Sequence, residues 1–352
     1  MIFDVNKNIF GLDISDRALR LVQLKKSGNK IILASYNALE IPADVIAGGE
    51  IKQEEKLAEL IKKLVKTANG KKIKTKNTVT VLPETKTFIK VIDVPSVGND
   101  EELAEIIKEE IKNHIPLSSD EIYLDWQILA KQSGSTKVLI GAAPKYIVDS
   151  YFSVIEKSGL VPYALEIESA AIVRSLFAKD DKTAKIIVDF GAVRTGLIIY
   201  SQKAIPFTIT LPISGNKITD TIATTLKLDP LKAEKAKIVC GLDPKKCEGA
   251  LLKILLKPIQ SIADQIKKAI IFYKSNFSIN NEISEVILCG GGANFSNIDK
   301  ILAEKLNLTV KIGNPLTNIA KTKKIKIPPD KILSYTTAIG LALRAFQKKD
   351  VI

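Results

Sequence analysis

Two stretches of this chain share one grammar: an apolar run delivers an aspartate into a short polar turn, and a second apolar run follows. They are "IFGLDISDRALRLVQL" (Ile9–Leu24) and "KIIVDFGAVRTGLIIY" (Lys185–Tyr200). Runs rich in Ile, Val and Leu bounded by turn residues predict strands, so each stretch predicts a β-hairpin with Asp13 or Asp189 closing its first strand. A hairpin tip exposes successive backbone N–H groups that can wrap an anionic phosphate, and glycine permits close approach. Two such hairpins facing each other would clamp a polyphosphate. Asp13 and Asp189 would then hold Mg²⁺ directly or through water, because Mg²⁺ prefers a few carboxylates together with phosphate oxygens and retained waters. Either hairpin alone reads as an ordinary turn, in which Asp and Gly are common. Their duplication favours the paired site and predicts two related lobes around a cleft.

The segments between the repeats fit that plan. Residues 1–75 read as the N-terminal part of the first lobe, with strands near Asn8–Asp13, Leu19–Lys25 and Lys30–Leu39 and an amphipathic helix near Glu54–Lys66. Residues 76–144 read as a small inserted α+β module: strands "NTVTVLP" and "KTFIKVIDVP", the acidic helix "NDEELAEIIKEEIKNHI", then strands "EIYLDWQIL" and "TKVLIGAAP". Residues 145–184 resume the first lobe with a helix near Lys145–Lys157, the strand "LVPYALEI" and a helix near Ser169–Phe177. Residues 185–333 form the second lobe, including a helical subdomain at about 215–283 broken near Pro230, Gly241 and Pro244. Residues 334–352 carry a C-terminal helix expected to return to the first lobe. The fold class is α/β.

Two further segments suit the same ligand. In "SEVILCGGGANFSNIDKIL" a strand runs into Gly290, Gly291, Gly292 and Ala293 and then a helix, so backbone can lie against a flat base or ribose. In "DPLKAEKAKIVCG", Glu234 and Lys237 stand three apart on one helical face, where the carboxylate could accept from ribose hydroxyls and the lysine lie by the base. A tight turn and a surface ion pair are the plainer readings of these two segments.

Composition excludes several classes. With 352 residues, 46% hydrophobic and 26% charged, the chain can bury a substantial core and is no disordered tail. Its longest uncharged stretches, such as "AIPFTITLPISGN" and "ILSYTTAIGLAL", are shorter than the ~20 apolar residues of a membrane span, and "MIFDVNKNIFG" has no signal-peptide pattern, so a cytoplasmic protein is expected. Cys240, Cys247 and Cys289 show neither the arrangement of a disulfide framework nor a CxxC spacing, and a lone His114 leaves too few soft ligands for zinc. The net charge of +13 concentrates in "KKLVKTANGKKIKTK" (Lys62–Lys76) and "KTKKIKIPPDK" (Lys321–Lys331). Such clusters suit an anionic membrane surface or nucleic acid. A solvated face is the plainer reading, since no aromatic residues interleave as stacking platforms.

The order of phosphate hairpin, inserted module, second hairpin "DFGAVRTG", "AEKAK" helix and "GGGA" turn resembles the actin-like ATPase superfamily, which includes actin and the cell-division protein FtsA. Within it the chain is similar to the PilM family of type IV pilus assembly. That likeness rests on "IPLSSDEIYLDWQIL", "GAAPKYIVDSYFSVIEKSGLVPYALEIESAAIVRSL" and "FTITLPISGNKITDTIA" and covers nearly all of Asn8–Phe346. It implies an actin-like ATPase fold with an SHS2-like module, and ATP or ADP with Mg²⁺ in the cleft. The nucleotide residues it implies are Asp13, Ser15, Asp16 and Arg17; Asp189, Gly191, Ala192, Val193, Arg194 and Thr195; Glu234 and Lys237; and Gly290, Gly291, Gly292 and Ala293. The family usually carries glycine and lysine where this chain has Ser15 and Arg20, and Arg194 is an added cation. The implied role is an adaptor at the inner face of the cytoplasmic membrane, docking the cytoplasmic N-terminal segment of a PilN-like inner-membrane protein between first lobe and module. It also implies contact with other pilus assembly components, room for peripheral membrane association, and no nucleic acid. Weak ATPase activity is an open expectation. A binding module with a degenerate pocket and a small-molecule kinase of the same superfamily are the rival readings.

Overall fold

In the computed structural model of the protein, which describes residues 8–277, 281–321 and 325–347, the N-terminal apolar runs pair as their alternation predicts. β1 (Phe10–Ile14), β2 (Ala18–Ser27) and β3 (Lys30–Glu40) form an antiparallel meander with Asp13 opposite Arg20. A ribbon of β4 (Ile46–Ala47) and β5 (Glu50–Ile51) leads into α1 (Glu54–Lys66). This helix buries Leu57, Ala58, Ile61 and Leu64 on one face, and its acidic first turn and basic last turn complement the helix dipole. β6 (Asn69–Gly70) pairs with the far edge of β3, and β7 (Asn77–Leu82) lies parallel to β1. The sequence pattern places "NTVTVLP" in the inserted module. Its strand belongs to the first sheet instead, because Thr78 to Leu82 are all buried, as a central parallel strand covered on both faces requires.

The module sheet therefore holds three strands. β8 (Phe88–Pro95), α2 (Asp100–Glu110), β9 (Ile122–Gln132) and β10 (Ser135–Pro144) have sheet order β8-β10-β9 and a core of their own built on Val94, Leu103, Ile107 and Ile140. α2 starts at Asn99, whose side chain accepts from the Glu102 N–H at 2.7 Å. α3 (Lys145–Lys157), β11 (Val161–Ile167) and α4 (Glu168–Leu176) then return to the first lobe, completing the order β11-β7-β1-β2-β3-β6.

The second lobe repeats the plan. β12 (Lys185–Phe190), β13 (Thr195–Tyr200) and β14 (Thr208–Leu211) form another antiparallel meander. The helical stretch is α5 (Gly215–Leu226), α6 (Pro230–Cys240) and α7 (Ala250–Asn276), followed by β15 (Glu285–Cys289), α8 (Ile298–Leu306) and β16 (Thr309–Ile312). In each lobe a parallel strand flanks the meander's first strand, β7 beside β1 and β15 beside β12. α6 begins where its sequence dictates: Asp229 accepts from the Lys232 N–H at 2.9 Å, and Pro230 occupies the first turn, where its missing N–H costs nothing.

One cysteine expectation is corrected. Cys240 and Cys247 form a disulfide across a Cα separation of 5.9 Å, and Cys289 is free and buried. The chain reverses after α6 through a turn in which the Lys246 N–H donates to the Asp243 carbonyl at 3.2 Å, and this brings Cys247 back to the helix end. A single short-range pair formed by such a reversal has no spacing signature. Last in order, α9 (Thr336–Leu343) is buried throughout and lies against β1 and α4. Gly340 makes that contact possible, since a Cβ there would overlap the Ala171 carbonyl.

Candidate functional site

The two hairpin tips open onto one cavity of about 410 Å³ between the lobes. Its walls take Asp13, Ser15, Asp16 and Arg17 from the first tip, Asp189, Gly191, Ala192, Val193 and Arg194 from the second, and Gly290 and Gly291 from the turn after β15. Asp13 is the penultimate residue of β1, a strand buried along its whole length, and its side chain lines the cavity. Burial pushes the Asp13 carboxyl up, against the opposing pull of Arg20, whose Nη1 lies 3.4 Å from Oδ2. Burial also raises the Asp189 carboxyl, and the negative charge of Asp13 raises it further. A buried carboxylate whose charge disfavours ionisation of a second, partly buried one offers an oxygen-only donor pair whose repulsion a divalent cation would relieve. This donor chemistry fits Mg²⁺. Among the described residues no cluster of three or more His, Cys, Asp or Glu side chains gathers as a metal centre, so phosphate and water oxygens would have to complete any coordination.

The tips differ in what they leave free. In the first, the Ser15 amide and hydroxyl both bond the Ala18 carbonyl, at 3.1 and 2.9 Å. The Asp16 carboxylate accepts from the Gly48 and Gly49 N–H groups at 3.1 and 3.0 Å, which ties the tip to the β4–β5 turn. In the second, Gly191 N–H closes a tight turn on the Arg194 carbonyl at 2.9 Å and leaves Ala192 and Val193 exposed. The start of α5 braces this turn from behind, with the Gly215 and Asn216 N–H groups donating to the Gly191 and Ala192 carbonyls. Thr195 is fully buried and donates to the Ile213 carbonyl at 2.8 Å, so it supports the turn without lining the cavity.

Gly290 has φ +77°, and a Cβ on it would stand 2.5 Å from Asp189 Oδ1. Only glycine lets the third loop pass so close to that carboxylate. Gly292 rests on the Phe190 ring and Ala293 is buried, which places both behind the cavity wall. Glu234 and Lys237 also stand outside its lining. Lys237 is a buried strut: Nζ donates to the Gly215 carbonyl at 2.9 Å and the Thr219 hydroxyl at 2.7 Å, and pairs with Glu234 at 2.6 Å. The Glu234 side chain stays 43% exposed.

Several lining residues escaped the sequence reading as ligand candidates. Arg20 lines the cavity beside Asp13, and Glu168, the first residue of α4, pairs with Arg194. That pair joins the first lobe to the tip of the second. Tyr151, Thr336 and Thr337 complete the wall from α3 and α9. For Glu168 the only available signal was its place at a strand-to-helix junction. The threonines of "SYTTAIG" carried none.

A second cavity of about 720 Å³ lies between the module and the first lobe. It is flanked by β9, through Tyr123 and Trp126, and by β11, through Ala164 and Leu165. Each of these strands is the edge of its sheet. At its floor Arg174 is buried against Glu166, with Nη1 to Oε2 at 2.7 Å. No helix among the described residues is long and apolar enough to cross a membrane.

Comparison with known proteins agrees with this architecture. The chain superimposes on a solved structure described as a PilM-PilN type IV pilus biogenesis complex, with TM-score 0.83, 24% identity and coverage of 97% of this chain and 99% of that one. MreB5 of Spiroplasma citri bound to ADP shares the fold at TM-score 0.54 and 14% identity, covering 96% of this chain and 95% of that one. FtsA of Pseudomonas aeruginosa is 23% identical over 214 residues, 55% of this chain and 50% of FtsA. FtsA of Borreliella burgdorferi is 23% identical over 272 residues, 69% of this chain and 62% of that protein. The chain thus matches from half to under two thirds of the length of these curated relatives. The fold is that of the actin-like ATPases, two related lobes around a cleft. Residues 11–346 match the family described as "Type IV pilus assembly protein PilM", and the chain belongs to that family.

Proposed function

We propose that this chain is a nucleotide-loaded adaptor that docks the cytoplasmic N-terminal segment of a PilN-like inner-membrane protein, and so works at the inner face of the cytoplasmic membrane with other pilus assembly components. The observation that carries the reading is the 720 Å³ groove between the edge strands of two sheets. An extended segment laid there can pair its backbone with β9 or β11 while its apolar side chains meet Trp126, Leu139 and Ala164. The PilM-PilN likeness supports this choice of partner. Membership of a type IV pilus family supports the setting.

ATP or ADP would occupy the 410 Å³ cavity, its phosphates between the two tips and its nucleoside toward the Gly290–Gly292 turn. Asp13 and Asp189 would hold Mg²⁺, which when bound neutralises phosphate charge against the two carboxylates. Arg17, Arg20 and Arg194 are the cations lining the cavity, and Arg194 would reach a phosphate by exchanging Glu168 for the ligand. For Glu234 to accept from the ribose, the nucleoside would have to extend past the cavity lining toward it; Lys237 pairs with it at 2.6 Å. Ligand bound to both lobes stabilises the closed molecule by mass action, so the adaptor role needs no turnover.

The test is fluorescence polarisation of a labelled peptide matching the N-terminus of the cognate PilN-like protein. Binding at about 1 μM or tighter, about −8 kcal/mol, is expected. Ala164→Trp, which fills the groove, should abolish it while leaving nucleotide binding intact. No binding up to millimolar peptide removes the adaptor reading, and unchanged binding by Ala164→Trp moves the groove elsewhere. A degenerate pocket is the second reading, favoured by the Arg20–Asp13 and Arg194–Glu168 pairs, in which two of the cavity's arginines already have carboxylate partners. Peptide binding without any calorimetric response to nucleotide would select it.

A further inference from the structure

The lysine-rich segments that lie far apart in sequence meet on one edge of the first sheet. Lys26 and Lys30 close the β2–β3 hairpin, with Lys26 opposite Ile31 and Lys30 opposite Ser27. β6 brings Lys71 alongside, its N–H donating to the Ala34 carbonyl at 3.1 Å and its carbonyl accepting from the Ser35 hydroxyl at 2.5 Å. Lys72 and Lys74 follow in the same segment. The third segment arrives through Ala320, whose N–H donates to the Ile31 carbonyl at 2.8 Å, and through Ile325, whose Cδ1 sits 2.8 Å from where a Cβ of Gly70 would be. This places Lys321 and Lys326 beside the other two. Residues 322–324 of the same run lie outside the described residues and play no part here.

We propose that this edge is a docking surface for an anionic phospholipid membrane. Lys26, Lys30, Lys71, Lys72, Lys321 and Lys326 are all exposed. Neither Asp nor Glu occurs in residues 25–30, 69–76 or 320–327, and none of the six lysines makes an ion pair among the described residues. Unneutralised charge held on backbone that is hydrogen-bonded in place sets up a fixed positive potential. Lysine on an exposed edge also blunts strand pairing, which by itself accounts for Lys71 and Lys72 but does not call for the two flanking segments. The chemistry favours lipid over nucleic acid. The six positions are lysines with no arginine fork for bidentate phosphate recognition. The aromatic ring in these strands, Tyr36, is engaged edge-on with Tyr335 at 5.9 Å and so is no stacking platform. A diffuse field of ammonium groups is what an anionic leaflet rewards. The surface stands apart from the peptide groove, so its test needs no peptide.

The experiment is co-sedimentation of the full chain with vesicles of phosphatidylcholine alone or with about 30% phosphatidylglycerol, at about 0.1 M and about 0.5 M salt. Binding to the anionic vesicles at low salt and its loss at high salt are expected. Lys26→Glu/Lys71→Glu/Lys326→Glu should weaken it at least about tenfold, while the control Lys246→Glu/Lys253→Glu/Lys257→Glu, with the same change in net charge, should stay within about twofold. Circular dichroism and thermal melts on both triples confirm that each is folded. No binding to anionic vesicles, or equal loss in the two triples, overturns the proposal. So does tighter binding to a single-stranded or duplex oligonucleotide that the first triple abolishes, which would assign the face to nucleic acid.

Discussion

Asp13 and Asp189 hold symmetry-related places, yet their surroundings make them unequal. Asp13 already has an arginine, with Arg20 at 3.4 Å, whereas the nearest polar side-chain partner of Asp189 is the Cys289 thiol at 3.7 Å. The second tip also keeps a glycine turn that the first replaces with the self-bonded Ser15. Asp189→Ala is therefore expected to weaken Mg-nucleotide at least about tenfold, about 1.4 kcal/mol, and Asp13→Ala by less. Calorimetric titration of the two variants checks this, and equal affinities for both and the wild type would contradict it. Gly290 supplies a second residue-scale prediction. With φ +77° and the Asp189 carboxylate 2.5 Å from any added methyl, Gly290→Ala should cost about 1–3 kcal/mol in urea unfolding and reduce nucleotide binding. Full stability with unaltered binding would show that the loop can move away.

At the scale of elements, Glu285 ties three strands together. It starts β15, and its carboxylate reaches Lys185 of β12 at 3.0 Å and Lys311 of β16 at 2.5 Å. Burial pushes its carboxyl up, but the hydrogen bonds from Lys311 and Lys185 outweigh that and hold it below its ordinary value of 4.5. A folded-state pKa below the unfolded one means that this stabilisation is complete above the ordinary value and is lost as pH falls through the folded value. Glu285→Gln should thus lower stability by about 1–2 kcal/mol at neutral pH, and the gap to wild type should narrow between about pH 5 and about pH 3. Chemical denaturation across that range is the measurement. A gap that widens on acidification would rule out the ion-pair account.

For the molecule as a whole, the proposed cleft ligand would act on the union of the two lobes. The lobes are already joined by the Arg194–Glu168 pair and by an apolar cluster in which Ile89 and Leu139 of the module meet Ile172 of α4 and Ile187 of β12. Nucleotide touching both tips, as proposed, would add to that union. At about a hundredfold above its Kd it should raise the unfolding free energy by about 2.7 kcal/mol. Asp189→Ala, weakened about tenfold, should keep only about 1.4 kcal/mol of that gain, about half, at the same concentration. Differential scanning calorimetry with and without Mg-ATP tests it, and an unchanged melting temperature in wild type would remove the cleft site.

Local chemistry sufficed for much of this. Strand runs, the break at Pro230, the apolar stripe of α1 and both aspartate turns were legible because each depends on neighbours a few residues away. The duplication was legible because a repeated pattern survives without knowledge of the fold. Three things were not. β7 reads like any short apolar strand, and only its pairing with β1 and β11 decides that it belongs to the first sheet. Cys240 and Cys247 meet because a chain reversal brings them together, which no spacing rule encodes. Glu168, Thr336 and the three lysine segments become neighbours only when α4, α9, β3 and β6 pack. The periodicity of a sequence reports which side of an element faces the core; which other element supplies that core is set by long-range contacts, and these exist only in the folded chain.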